Sequence, residues 1–296
     1  MNPAAPTSIT PPLTPPPDPH PRRPQMQVPA GAIDCHVHLF GPASLWPFHP
    51  GSRYSSADAL PETQIAMQDT LGMAGAVVVS GGGYGQDTRH LEDVLTRFPK
   101  RFRGVALLPD DVSRSHVAYL DRMGVRGARF VSAGHRGALP RLSQRVAHLI
   151  ADFGWHVQFY PSGDDLLEHA QALLDLPTQV VLDHFAVIPA AGGIEQPAFA
   201  CLQRMLDSEQ VWVKLSGPMR CVTGDLPYPE VKPLAQALVA QCPEYLLWGS
   251  DWPHVNMVGR EMPNDGDLLD LLEDWAPKPE DRQRILVDNP KRIYGF

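Results

Sequence analysis

Residues 31–42 read GAIDCHVHLFGP, an apolar run interrupted by Asp34, His36 and His38. Alternation of this kind has the period of a β-strand, in which residues two apart share a face. Asp34, His36 and His38 are therefore expected on one face, with both imidazoles aimed at one spot. Three uses compete for such a pair: a grip on a metal, donors to a substrate, or filling of a core.

Seven further short apolar runs follow: GAVVVS (75–80), FRGVALLP (102–109), VRGARFVS (125–132), WHVQFYPS (155–162), TQVVLDHF (178–185), VWVKLSG (211–217) and EYLLWGSDWP (244–253). Between them lie amphipathic helical patterns such as DTRHLEDVLTRFP, RLSQRVAHLIADFG and DDLLEHAQALLDLP. Several stop at Gly or Pro just before the next strand, a helix end followed by a turn. Strands alternating with helices imply parallel pairing through crossover connections. Eight such units match an α/β fold of the (β/α)8 TIM-barrel type, for which roughly 250 residues is typical. An open doubly wound sheet would favour a glycine-rich phosphate-binding turn after its first strand. SGGGYG (80–85) lacks both the GxGxxG spacing and the lysine of a phosphate loop. It is expected instead as a mobile active-site loop.

Composition narrows the function classes. The chain has 296 residues, 43% of them hydrophobic and 20% charged, as in soluble globular proteins. A net charge of −8 argues against nucleic acid as a partner, because phosphate backbones need a basic face. A small anionic substrate stays open, since it answers to a local cluster of arginines. No apolar run approaches a membrane span. The four cysteines (Cys35, Cys201, Cys221, Cys242) are scattered, and the first residues lack the apolar core of a secretion signal. A cytoplasmic protein with reduced thiols is expected. Oligomeric state leaves no trace in the sequence.

Eleven of the 32 prolines precede Gly31. Residues 1–30 are accordingly expected as an extended proline-rich arm, flexible or packed over a neighbouring surface, and residues 31–296 as the barrel.

In a barrel, chemistry sits where strands end and loops begin. The polar residues at those ends are His36 and His38, Ser80, Arg129, Gln158 and Tyr160, Asp183 and His184, Arg220, and Asp251 with His254. A purely structural barrel has no need of such a collection, because buried ionisable groups are costly unless paired. The other histidines (His20, His49, His90, His116, His135, His148, His156, His169) fall in helices, in loops or off register, and are expected at the surface.

DCHVHLFG, VVLDHF and LLWGSDWPH, in this order, resemble the amidohydrolase superfamily, and within it the branch of 2-pyrone-4,6-dicarboxylate lactonases and sugar-acid lactonases. The likeness runs from Gly31 to Phe296 and includes RYSSADAL (53–60), GVRGARF (124–130) and DNPKRIYGF (288–296). It implies a hydrolase that opens the ring ester of a small carboxylated lactone. Asp251 would act as general base on water, with His36, His38 and His184 polarising the carbonyl. Arg129 and Arg220 would clamp substrate carboxylates, with Arg126 or Arg136 as a third clamp, and Tyr54, Ser80 and Tyr160 would orient the ring. After ARF the sequence departs from the pattern, and the further arginine falls between His135 and Arg136.

Metal-using members of the superfamily take ligands from the strand-one histidines, another strand and the strand-eight aspartate. Here Gln158 stands where a further ligand is expected, so no cofactor is expected to be required. If a divalent ion (Zn or Mn) were bound, His36, His38 and Asp251 would hold it. The alternatives are a metal-dependent hydrolase or decarboxylase of the same superfamily and, more remotely, a non-catalytic dicarboxylate-binding barrel.

Overall fold

The structure, a computed structural model, describes residues 12–131, 141–161 and 165–296. Eight parallel strands ring a common axis: β1 (Ile33–Val37), β2 (Gly75–Val79), β3 (Phe102–Ala106), β4 (Val125–Val131), β5 (His156–Tyr160), β6 (Val180–Leu182), β7 (Val211–Ser216) and β8 (Leu246–Gly249). They pair in chain order, each with the next. The crossovers carry α1 (Pro61–Leu71), α2 (Arg89–Arg97), α3 (Arg114–Met123), α4 (Gln144–Ala151), α5 (Asp165–Leu174), α6 (Pro197–Leu206) and α7 (Lys232–Gln241). After β8 come α8 (Asp265–Trp275), α9 (Pro279–Gln283) and α10 (Asn289–Tyr294). This is the (β/α)8 barrel that the alternating pattern predicts.

Closure between β1 and β8 is made just beyond the ladder proper. Asp251 N donates to His36 O at 2.9 Å, and His38 N donates to Trp252 O at 2.7 Å. The carboxylate of Asp34 seals the same seam. Its Oδ1 accepts from His36 N at 3.1 Å and from Ser250 N at 3.0 Å. Simple alternation puts Asp34 on the face of the two histidines, but the β1–β2 register shifts between Asp34 and Val37. Cys35 therefore packs inside the barrel with Val77, Val79, Val105, Val181, Trp212 and Leu247, while His36 and His38 still reach the mouth. Burial pushes the Asp34 carboxyl up to about 7, against the hydrogen bonds that favour its charge.

The opposite end is plugged by the chain terminus. Tyr294 is fully buried beneath the barrel interior, its ring edge-on to His156 with centroids 5.1 Å apart. Its hydroxyl has no hydrogen-bond partner among the described residues. His156 and His90, both expected at the surface, are buried instead. Strand five begins inside the barrel floor, and His90 on α2 reaches Gly41 O at 3.2 Å. Arg126 also departs from its suggested role. It sits at the start of β4 and bonds Asp121 O at 2.9 Å, at the end of the barrel away from the mouth.

The described part of the proline-rich segment makes contacts along the barrel. Leu13–Thr14 pair with Ser55–Ser56, and Asn256 N donates to Thr14 Oγ1 at 3.1 Å. Further on, Arg22 pairs with Asp267, and Gln25 N and Met26 N donate to Asp270. Among the described residues no helix is long and apolar enough to cross a membrane.

Two outcomes test this account. Tyr294→Ala should destabilise the chain by about 3–5 kcal/mol in denaturant unfolding, whereas Tyr294→Phe should stay within about 1 kcal/mol, because the hydroxyl has no partner to lose. For Asp34, a folded pKa near 7 against an ordinary 3.8 means the native state holds a proton that the unfolded chain releases. Stability is then lost as pH rises through this window, by an amount on the order of 4 kcal/mol. Asp34→Asn should remove that slope, so its melting temperature should gain on the parent between pH 4 and pH 8. Parallel pH curves for the two proteins would show the assignment to be wrong.

Candidate active site

Four strand ends deliver the polar cluster at the mouth. Three imidazoles surround one carboxylate oxygen: Asp251 Oδ1 lies 3.7 Å from His36 Nε2, 3.6 Å from His38 Nε2 and 3.7 Å from His184 Nε2. The other oxygen, Oδ2, accepts from Arg220 Nε at 3.0 Å and Nη2 at 2.7 Å. All four of His36, His38, His184 and Asp251 are at most 3% exposed.

The backbone accepts strain to hold this geometry. His184 to Val187 form a run of left-handed residues, with φ of 51°, 53°, 55° and 54°, and Asp251 has φ 66°. Such conformations cost roughly 1–2 kcal/mol per non-glycine residue and tend to mark functional sites. Gly217, directly after β7, makes room for the turned histidine. A Cβ there would come 2.6 Å from His184 Nδ1.

Asp183 organises a second row. Its Oδ2 accepts from Arg129 Nε at 3.0 Å, and its Oδ1 accepts from Gln158 Nε2 at 2.8 Å. Arg129 and Gln158 are register partners on β4 and β5, which is why both reach the same carboxylate. Lys214, fully buried on β7, donates to Gln158 Oε1 at 2.8 Å and stands 3.3 Å from His36 Nδ1. The lysine in VWVKLSG was passed over in the sequence reading. A charged residue in the middle of an apolar strand was the signal that could have flagged it.

These contacts set the charges. Burial works against ionisation of Asp251, but Arg220 and His184 outweigh it and hold the carboxyl well below its usual range. Burial likewise opposes charge on Asp183, where Arg129, His36 and Lys214 prevail. Burial and the Lys214 charge push His36 well below the usual imidazole value. Burial brings His184 down to about 4, against the pull of Asp251. Lys214 comes down to about 8 by burial, although Asp183 supports its charge. Near neutral pH the cluster thus holds two carboxylates, neutral His36 and His184, and cationic side chains.

The hydrogen bonds fix one tautomer outright. His38 Nδ1 lies 2.7 Å from Val79 O. A carbonyl only accepts, so this nitrogen carries the proton and a neutral His38 presents a lone pair at Nε2. In that neutral form Nε2 accepts a hydrogen bond rather than donating one toward the mouth. His184 Nδ1 pairs with Ser216 Oγ at 2.9 Å, and a serine hydroxyl can donate there, leaving Nε2–H toward the mouth.

Around this centre, Tyr160 lies edge-on to His184 at 5.5 Å and under the Arg129 guanidinium at 5.3 Å. Tyr54 Oη accepts the Gly83 N–H at 3.1 Å. A Cβ on Gly81 would come 2.6 Å from that hydroxyl and 3.4 Å from His38 Nδ1, so this glycine lets the loop lie between the two. The SGGGYG segment is also tied by His49 N to Gly83 O at 2.7 Å. Ser80 closes β2, and its carbonyl faces Arg129 Nη1 at 3.4 Å. His254 turns away from the mouth and pairs with Asp265 on α8 at 3.2 Å. His135 and Arg136 lie outside the described residues.

His36, His184 and Asp251 bring ligand-type atoms within 4.8 Å of one another, a set that differs from the expected His36, His38 and Asp251. As a metal centre the donor set fits poorly. Arg220 occupies one oxygen of Asp251, Lys214 faces His36, and Arg129 adds a second guanidinium against two carboxylates.

Comparison with known proteins places the chain. The family model described as Amidohydrolase matches residues 33–296. The chain is 37% identical over 290 residues to a 2-pyrone-4,6-dicarboxylate hydrolase of Comamonas testosteroni, a match covering 93% of each. It is 32% identical over 272 residues to a 4-sulfomuconolactone hydrolase of Hydrogenophaga intermedia, covering 90% of each. A crystal structure from Pseudomonas putida, assigned as a 2-pyrone-4,6-dicarboxylic acid hydrolase, superposes with a TM-score of 0.78 at 30% identity, over 90% of this chain and 98% of that one. The chain belongs to the amidohydrolase family.

Proposed function

We propose that this chain hydrolyses the ring ester of a small carboxylated lactone, without a resident metal ion. One observation carries the reading: a buried carboxylate, Asp251, meets three imidazoles and an arginine at the barrel mouth. Hydrolysis needs a base for water, donors for the developing oxyanion and a clamp for the substrate. Asp251, kept ionised by Arg220, takes a proton from water as its oxygen attacks the lactone carbonyl. His36 and His184 donate through Nε2–H to the oxyanion, and a neutral His38 accepts from His36 in the resting site. When the tetrahedral intermediate collapses, the ring C–O bond breaks and the leaving oxygen recovers the proton from Asp251. The products are a hydroxyl group and a carboxylic acid, which releases its proton to solvent as a carboxylate.

The substrate class follows from the cations. Arg129 and Arg220 present guanidinium groups suited to bidentate contact with carboxylates. Tyr54, Ser80 and Tyr160 border the same space, and Arg136 is proposed as a further clamp. The names of the two relatives, a pyrone dicarboxylate hydrolase and a sulfomuconolactone hydrolase, both denote anionic lactones and support this choice.

The decisive experiment is a panel of lactones, carboxylated and neutral, assayed with parent and Asp251→Asn proteins. The carboxylated members should be opened by the parent, and the variant should lose at least about 10³-fold in kcat while keeping its melting temperature. Near-parental turnover by the variant would remove Asp251 from the role of base. Failure to open any member would favour a binding barrel. Extended treatment with a chelator should leave activity unchanged. Loss of activity restored by zinc or manganese would instead favour the metal-dependent hydrolase or decarboxylase reading.

A further inference from the structure

A fully buried lysine stands behind the histidines, and the hydrolysis just described gives it no step. Lys214 Nζ reaches Gln158 Oε1 at 2.8 Å, His36 Nδ1 at 3.3 Å and Asp183 Oδ1 at 3.6 Å, with the Tyr294 ring 5.9 Å below.

In a neutral His38 the one hydrogen is committed at Nδ1 to Val79 O, and Nε2 is a lone pair. His36 Nε2 lies 3.3 Å from that lone pair. A hydrogen on His36 Nε2 makes the contact a hydrogen bond. Without one, two lone pairs face each other, with Asp251 Oδ1 at 3.7 and 3.6 Å, so that three acceptors meet and no proton lies between them. A neutral imidazole has a single N–H. Placing it at Nε2 leaves His36 Nδ1 in need of a donor, and an ammonium group can only donate.

We infer that Lys214 is a positioning residue: its ammonium holds His36 as the Nε2–H tautomer, which arms the proton donor of the site and denies that nitrogen to a divalent cation. The competing partner is Asp183 Oδ1, 3.2 Å from the same Nδ1, an oxygen that already accepts from Gln158 Nε2 at 2.8 Å. If Asp183 took the His36 proton at Nδ1, the Nε2 lone pairs of His36 and His38 would converge beside Asp251 and form a cation site. The two arrangements exclude one another and differ in the position of one proton. Lys214 decides between them. A lysine inside an apolar strand thereby separates metal-free from metal-binding chemistry on the same histidines.

The assignment concerns the protein itself, and only its kinetic arm rests on the lactone-hydrolase reading. Long-range proton–nitrogen NMR of the full chain labelled with ¹⁵N-histidine should show His36 protonated at Nε2 and bare at Nδ1. In calorimetric titration with zinc chloride, Lys214→Met should bind zinc at least about tenfold more tightly than the parent, the size of effect that groups supporting metal ligands usually exert. Lys214→Arg, which restores a cationic donor, should return affinity toward the parental value. Against a carboxylated lactone, Lys214→Met should lose about 10²-fold in kcat, with KM changed by no more than about twofold. A His36 proton found at Nδ1 in the parent would overturn the inference, as would equal zinc affinity in parent and Lys214→Met. Should Lys214→Met fail to fold, as judged by circular dichroism, the parent spectrum and Lys214→Arg still decide. If no lactone is turned over while the NMR and zinc results hold, the hydrolase reading falls and the tautomer assignment stands.

Discussion

Burying a carboxylate costs several kcal/mol unless opposite charge and hydrogen bonds meet it, and the mouth of this barrel buries two. Asp183 and Asp251 are almost wholly out of water. Asp183 is met by Arg129 and Gln158, and Asp251 by Arg220 and the imidazoles. The two anions and the residues that satisfy them come from β1, β4, β5, β6, β7 and β8 or the turns just beyond them. The electrostatic requirement therefore ties most of the strands together at one end. In the proposed mechanism the same pairing keeps Asp251 ionised, the form in which it can take a proton.

Closure and the candidate site share the β1–β8 seam. The backbone bonds from Asp251 N to His36 O and from His38 N to Trp252 O complete the ring and set the spacing of Asp251 against the β1 histidines. A shift at this seam would displace the His36 and His38 imidazoles relative to Asp251. The left-handed turn at His184–Val187 and the left-handed Asp251 are held by neighbours rather than chosen by local preference. Preorganisation of this kind is what electrostatic catalysis demands, because donors that must move lose most of their value.

The strand order, the histidine pair, the strand-six histidine and the strand-eight aspartate were legible because each sits at the end of a short apolar run. Periodicity places such residues without knowledge of the fold in detail. Three features escaped it. The shift within β1 let Cys35 and His36 both serve the interior, which strict alternation forbids. His156 looked like a surface histidine, since only the terminal Tyr294, far away in sequence, makes its position an interior one. Lys214 carried a visible signal, a charge within VWVKLSG, but its meaning depends on Gln158 and His36, residues 56 and 178 positions away.

The amino-acid sequence by itself determined the alternation of strands and helices, and so the parallel barrel and the chemical types gathered at its mouth. Those follow from hydrophobic period and turn residues, which act over a few neighbours. Only the tertiary structure decided which partner each charged group takes: Arg220 with Asp251, Arg129 with Asp183, His254 with Asp265 and Arg126 with the far end. Partner choice and tautomer depend on distances of about 3 Å between atoms from different strands, and such distances exist only once the barrel has closed.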